Sequence, residues 1–261
     1  MKIVVCLKQV PGTTEIKIDS ETNNIIRQGI KNIVNPFDTY AVEEGVRLKE
    51  RHGGEVIALT MGPPQAVDAL REAISVGADR AVLLSDPGFA GADTWATAYT
   101  LAQAIGRMAP YDLIVCGRQT IDGDTGQVGP ELAEMLGLPF IAYVSRVEEI
   151  AGGRLRVRRM VEEGYEIMDA PLPAVITVSK EINVPRLPSL RGISKARSAV
   201  IPAWDAAAIG AEAAKTGLQG SATRVTRIFF PQWVVQGEIL EGEPETQVAE
   251  LIGRLRESGV L

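Results

Sequence analysis

Short apolar runs alternate with segments of helical period along the first half of the chain. Lys2 to Leu7, Glu55 to Met61, Ala81 to Leu84 and Leu113 to Cys116 are nearly continuous apolar stretches of strand length. Strands buried on both faces of a parallel sheet read this way. Between them, Asp38 predicts a capped helix from Thr39 to about Arg51, with Ala41, Val42, Gly45, Val46 and Leu48 on one face. A second helix is expected over Pro64 to Val76, where Ala66, Leu70, Ala73 and Ile74 keep register until Gly77 ends it. A third, capped by Asp93 or Thr94, should run to about Met108 with Ala98, Leu101, Ala102 and Ile105 facing inward. This alternation predicts an α/β fold, a doubly wound and mostly parallel sheet with right-handed crossovers. Ile16, Ile18, Ile25 and Ile26 flank the turn-rich Asp19 to Asn24, which predicts a small hairpin before the first helix.

After Pro139 the period changes. Phe140 to Ile150, Leu155 to Val161 and Glu166 to Met168 are separated by Gly152-Gly153 and Gly164, and predict an antiparallel extension joined by tight turns. Ala174 to Ser179 can return to the main sheet. From Asn183 to Pro202 there is no clear period; three prolines and Arg186, Arg191, Lys195 and Arg197 read as an extended, locally basic arm. An Ala-rich helix near Trp204 to Ala214, an apolar run Val225 to Phe230 and an amphipathic helix from about Glu245 to Glu257 complete the chain. This tail lacks the apolar periodicity for a core of its own, and exposure of Ile228, Phe229, Phe230 and Trp233 is costly. Packing on a partner chain is the favoured reading; folding back on its own domain is the alternative. The expected division is a nucleotide-binding α/β domain over residues 1–182 and a C-terminal partner-binding arm over 183–261.

The most informative stretch is Asp112 to Pro139, DLIVCGRQTIDGDTGQVGPELAEMLGLP. It reads as a strand, then a loop with Gly117, Gly123, Gly126 and Gly129, then a helix in which Val128, Leu132, Met135 and Leu136 recur until Gly137. Pro130 belongs in the first turn, so the helix starts between Thr125 and Gly129 and its free N–H groups point over the end of the strand. Such a place favours a phosphate. The spacing is neither GxGxxG nor a Walker A loop, and glycines also make ordinary strand-to-helix turns, so both readings stand. Asp122 and Asp124 fit loop and capping roles better than a catalytic pair.

Gly117-Arg118-Gln119-Thr120-Ile121-Asp122-Gly123-Asp124-Thr125-Gly126-Gln127-Val128 and the following GPELAEMLG resemble the nucleotide loop of electron transfer flavoprotein β subunits. So do Asn35-Pro36-Phe37 with Ala41-Val42-Glu43-Glu44 and Arg47-Leu48-Lys49, and Ala69 to Arg80 ending in Gly77-Ala78-Asp79-Arg80. With Lys2 to Val10 and Pro173 to Lys195, the resemblance covers nearly the whole chain.

Composition narrows the alternatives. At 261 residues and 46% hydrophobic content the chain can bury a substantial core. A net charge of −6, from 27 basic and 33 acidic residues, argues against a general nucleic-acid or anionic-membrane surface. Ile3 to Leu7 is too short for a signal-peptide core and nothing approaches a membrane span, so a cytoplasmic protein is expected. Cys6 and Cys116 lie in apolar runs, as buried free thiols do, and His52 sits at a helix end among charged neighbours. No Ser/His/Asp set, zinc spacing or HExxH is present.

The resemblance implies a heterodimer in which an α subunit carries a flavin and the β subunit supplies a nucleotide site and a docking loop for an acyl-CoA or other flavin dehydrogenase. It places that nucleotide site on Cys6, Asn35, Pro36, Phe37, Asp38, Met61 and Gly117 to Val128. For Cys6 and Met61 the side chains themselves read as core packing. It also implies that Leu190, next to Arg191 and framed by prolines, inserts into a pocket on the dehydrogenase, with Arg186 and Arg191 as a charged rim. The AMP-holding branch has a loop closer to Asn-Gln-Thr-Gly-Gln. Thr125-Gly126-Gln127-Val128-Gly129-Pro130 and Asp93-Thr94-Trp95-Ala96-Thr97 here resemble instead the electron-bifurcating branch, where a second FAD takes hydride from NADH. Asp93, Thr94 and Thr97 either hold that cofactor's extra phosphate or ribityl chain or simply cap a helix. A self-contained NAD dehydrogenase fits poorly, because Gln9-Val10-Pro11-Gly12 carries no fingerprint. An ATP-binding regulatory domain is the remaining class.

Overall fold

The computed structural model describes residues 1–12, 17–18, 25–26, 32–226 and 237–261. They form two compact units, Met1–Val225 and Thr226–Leu261. The first opens with β1 (Lys2–Cys6), β2 (Gln9–Pro11), β3 (Lys17–Ile18), β4 (Ile25–Ile26) and β5 (Asn32–Val34), followed by α1 (Pro36–His52), β6 (Glu55–Met61), α2 (Val67–Val76) and β7 (Arg80–Leu84). Next come α3 (Thr94–Gly106), β8 (Leu113–Gly117), α4 (Val128–Leu136), β9 (Phe140–Ala151), β10 (Arg154–Val161), β11 (Gly164–Pro171) and β12 (Ala174–Val178). The unit closes with α5 (Leu190–Ser198), β13 (Ala203–Trp204), α6 (Ala206–Ile209) and α7 (Gly217–Gly220). The second unit contains α8 (Pro244–Glu257), in which no residue is buried.

One nine-stranded sheet runs β11-β10-β9-β12-β8-β1-β6-β7-β13. Its inner strands β12, β8, β1, β6 and β7 are parallel, and the apolar runs that announced them are buried on both faces. Alternate residues point to opposite faces. Ile3, Val5, Leu113 and Val115 meet Ala41, Val42, Val46, Leu48, Leu70 and Ile74 of α1 and α2. Val4, Ile57, Ile114 and Val175 meet Leu101, Ile105, Leu132 and Ala133 of α3 and α4. The doubly wound expectation holds, and so does the antiparallel extension, with β10 laddered to both β9 and β11. The early hairpin is present as β3 on β4, whereas its turn and Ile16 lie outside the described residues.

Three elements differ from the sequence reading. Helix α1 starts at Pro36, three residues before Thr39, with Asn35 at its N-cap, because proline fits the first turn and Asp38 has other partners. Residues 190–198, expected to be extended, form α5. Only Ala196 in it is buried, so its apolar period is faint. It is held instead by Ser189, whose Oγ accepts the Gly192 N–H at 3.0 Å, and by the Arg71 guanidinium on the carbonyls of Ala196, Arg197 and Ala199. Finally, Ala203–Trp204 pairs with Leu83 and Leu84 and covers the β7 edge. Most of the apolar run Val225 to Phe230 lies outside the described residues, as does Trp233.

Candidate functional site

The order β12-β8-β1-β6-β7 contains a reversal. From β1 the chain goes one way to β6 and β7, then returns to lay β8 on the other side of β1. The helix after β1 covers one face and the helix after β8 covers the other, which opens a crevice beyond the carboxyl ends of these two strands. Cys6 and Cys116 are register partners there, both buried free thiols. A hydrogen bond with Cys6 and burial push the Cys116 thiol well above its ordinary range, so it stays protonated and unreactive.

The glycine loop leaves β8 at this crevice and is fastened from below. Asn35 is fully buried; its Nδ2 donates to the Gln119 carbonyl at 2.9 Å and its Oδ1 accepts the Ile121 N–H at 3.1 Å. Asp38, also buried, accepts the Lys8 N–H at 2.7 Å. A Cβ on Gly117 would lie 2.2 Å from Asp38 Oδ1, so only glycine lets the strand end sit on that carboxylate. Burial pushes the Asp38 carboxyl up to about 7, against the lowering effects of the Lys8 N–H, the Asn35 side chain, the Gly117 N–H and the Lys8 charge. Lys8 reaches Asp122 at 2.7 Å, and Gln119 Nε2 donates to Asp124. Asp124 and Gly126 have φ of 53° and 65°, so the loop doubles back into α4.

At the start of α4 the N-cap residue Gln127 makes no side-chain cap bond, as is also true of α1, α2 and α8, whereas Asp93 and Ser189 cap α3 and α5. An uncapped helix start behind a left-handed glycine is a cradle of N–H donors that suits a phosphate. Thr120 is half-buried on the loop, and Ile121, Gly123 and Thr125 are exposed on it. Arg118 carries its guanidinium over the rings of Phe37, at 5.0 Å, and Tyr143, at 5.9 Å, with its Nε buried and unpartnered. Pro36 is exposed, and Met61 is half-buried at the end of β6.

The N-terminus of α3 packs beside that of α4. Asp93 caps α3 through the Ala96 N–H at 3.0 Å and accepts from the N–H and hydroxyl of Thr223 at 2.8 and 3.1 Å. The Thr94 hydroxyl donates to Glu131 Oε1 at 3.0 Å. Burial raises the Glu131 carboxyl, and its Oε2 is buried and unpartnered. Thr97 lies half-buried one turn on. Leu190 and Arg191 are far along the chain, exposed at the start of α5. Arg186, read from sequence as part of a charged rim, instead turns inward onto Glu43 and Glu50. The sequence reading also missed Lys8, Tyr143 and Glu131 as neighbours of the loop and of Thr94. Only Lys8, directly after the first strand, had a positional signal.

A sequence profile described as "Electron transfer flavoprotein domain" matches residues 22–209. The chain belongs to the electron transfer flavoprotein family. It is 45% identical to electron transfer flavoprotein subunit beta of Thermoanaerobacterium thermosaccharolyticum, over the full length of both chains. The similarity to the caffeyl-CoA reductase-Etf complex subunit CarD of Acetobacterium woodii is 44%, again over both full lengths. Protein FixA of Azorhizobium caulinodans is 43% identical over 97% of this chain and 92% of its own. Among the described residues no His, Cys, Asp and Glu group suits a metal ion, and no helix is long and apolar enough to cross a membrane.

Proposed function

We propose that this chain is the β subunit of a heterodimeric electron transfer flavoprotein and that it binds the adenine nucleotide half of a second FAD in the crevice beyond β1 and β8. The observation that carries this reading is the uncapped start of α4, held over the crevice by a loop that Asn35 and Asp38 fasten. The loop amides from Gly126 to Val128 would take a phosphate, and Asn35 to Asp38 shape the floor beneath it. FAD is favoured over AMP because a second helix start lies beside the first, where Thr97 would offer a hydroxyl to a longer ligand and Thr94, its O–H held by Glu131, only an acceptor oxygen. Asp93 is already engaged by Ala96 and Thr223, so its contribution is to hold the start of α3 in place. When bound, FAD would accept a hydride from NADH and release its electrons singly, one of the two paths leading through the flavin of the α subunit. The chain's own residues bind and orient.

Leu190 and Arg191 would dock an acyl-CoA or other flavin dehydrogenase, and the arm beyond Val225 would pack on the α subunit in a cytoplasmic complex. That a relative is named as part of a caffeyl-CoA reductase complex supports such a partner. The second reading, favoured by the capping role of Asp93, is a single-flavin carrier with AMP in the same crevice. Acid extraction of the purified heterodimer followed by chromatography separates them. Two FAD per heterodimer and no AMP is expected; one FAD with one AMP overturns the bifurcating reading. A colourless heterodimer would point to the ATP-binding regulatory class instead.

A further inference from the structure

Between α1 and the β9–β10 ribbon lies a cleft of about 450 Å³, within the size range of small-ligand sites. It shares no lining residue with the crevice beyond β1 and β8. Ligand sites are mostly apolar, but this one is walled by Arg47 and Arg51 from α1 and by Arg146 and Arg158 from the ribbon. Two like-charged pairs therefore converge on one space. Arg146 and Arg158 stand directly opposite each other on β9 and β10, an arrangement that costs stability when nothing negative lies between them. Arg47 and Arg51 are one helical turn apart, where like charges also repel. Local charge rules broken twice at one place mark a site kept for function.

The carboxylates at the cleft do not answer all four charges. Glu43 engages Arg47, and Glu148 pairs with Arg146 at 3.2 Å. Glu44 accepts the Asn183 Nδ2 at 3.1 Å, and burial raises its carboxyl, so it opposes an anion less than an exposed glutamate would. Glu181 is exposed. Among the described residues neither Arg51 nor Arg158 has a carboxylate in salt-bridge range. Arg158 is nonetheless held in place. Its guanidinium lies over the Tyr165 ring at 4.8 Å, the Ser145 hydroxyl donates to its carbonyl at 3.1 Å, and its Nε is buried without a partner. A fixed guanidinium with donors to spare is a receptor for an oxyanion.

We propose that this cleft is a separate anion site, which binds a small diphosphate-bearing molecule through Arg51 and Arg158. Two unpaired guanidiniums match two phosphates; a monoanion would leave one of them unanswered, and an apolar ligand would strand both. Free pyrophosphate and the diphosphate of a nucleotide share this chemistry. The site does not depend on what fills the crevice beyond β1 and β8.

The test is isothermal titration of the intact αβ heterodimer, with its cofactors retained, by pyrophosphate and in a separate arm by ADP. Saturable binding is expected, with Kd rising on the order of tenfold in Arg51→Gln and in Arg158→Gln and with cofactor content unchanged. Arg158→Lys should recover only part of the affinity, because an ammonium neither stacks on the tyrosine nor forks onto a phosphate in the same way. Arg154→Gln, on the same ribbon but outside the cleft, should bind as the wild type does. Tighter binding of ADP than of pyrophosphate assigns the cleft to a nucleotide, and equal or weaker binding assigns it to free pyrophosphate. Absence of saturable binding of either anion by the wild type overturns the proposal. So does wild-type affinity in Arg51→Gln, an exposed position whose replacement leaves the core intact, since the anion would then sit elsewhere. Neither result touches the crevice reading, which cofactor extraction tests by itself.

Discussion

The Oδ1 of Asn35 accepts the Ile121 N–H at 3.1 Å, joining the entrance of α1 to a loop 86 positions later in the chain. With the second bond, from Nδ2 to the Gln119 carbonyl, the side chain replaces water for both a donor and an acceptor of the loop. Asn35→Ala should therefore lower stability by about 1–3 kcal/mol and reduce nucleotide content. Asn35→Asp keeps the acceptor but loses the donor, and should fall between. Denaturant unfolding and cofactor extraction on the same preparations check both. Full cofactor content in Asn35→Ala would mean that the loop is fixed by other contacts.

A second expectation concerns Gly117. A Cβ there would fall 2.2 Å from Asp38 Oδ1 and 2.8 Å from the Phe37 carbonyl carbon, and neither neighbour is the free end of a flexible chain. Gly117→Ala should cost about 1–3 kcal/mol through forced displacement. Gly126→Ala meets nothing closer than 3.4 Å but must hold φ at 65°, so its cost should be nearer 1 kcal/mol, of the order expected for an alanine held left-handed. Thermal unfolding of the two variants should rank them in that order. The reverse ranking would place the strain in the loop rather than at the strand end.

Stability should carry a pH signature from Asp38. Its carboxyl titrates near 3.8 when unrestrained and is raised by burial to about 7 in the fold. Between these values the folded chain binds a proton that the unfolded chain has released. The group's stabilising contribution is complete below about pH 4 and is lost as pH rises through 7. Glu43, Asp93 and Asp122 are shifted down and act in the opposite sense at lower pH, losing their contributions as pH falls. Asp38→Asn removes only the first component. The stability of the wild type relative to Asp38→Asn should decline from about pH 4 to 7, as read from denaturant unfolding at a series of pH values. A flat difference would show that the carboxylate is ionised throughout.

Removal of residues 226–261 should leave the first unit folded, because the sheet, its helices and β13 all precede Val225. No residue of α8 is buried, and Val248, Leu251 and Ile252 present an apolar stripe at helical spacing. The truncated chain should unfold with a Tm close to that of the full chain but fail to co-elute with the α subunit in size-exclusion chromatography. Retention of the heterodimer would assign the interface to the first unit.

The sheet was legible in the sequence because its inner strands are apolar runs buried on both faces; Glu55–Met61 has the same bounds in sequence and structure. The glycine loop was legible because Pro130 marks the first turn of α4 and Gly137 its end. Helix α5 was not, since its stability comes from Arg71, Lys195 and Ser189 rather than from an apolar face. For the same reason Arg186 looked like a solvent-facing charge: nothing local to it reveals that Glu50 and Glu43, 136 and 143 positions earlier, converge on it. Long-range polar pairing leaves no period to read.

Strand β9 belongs to two ladders at once. Its first residues pair in parallel with β12, and from Val144 onward it pairs antiparallel with β10, changing register near Tyr143, where φ is 56°. One uninterrupted strand thus carries the core sheet out into the ribbon, and no linker separates them. A bulge of this kind sets a fixed bend rather than a hinge. The Gly152–Gly153 tip is therefore joined through the continuous backbone of β9 to β12, the strand that lies beside β8 and its glycine loop.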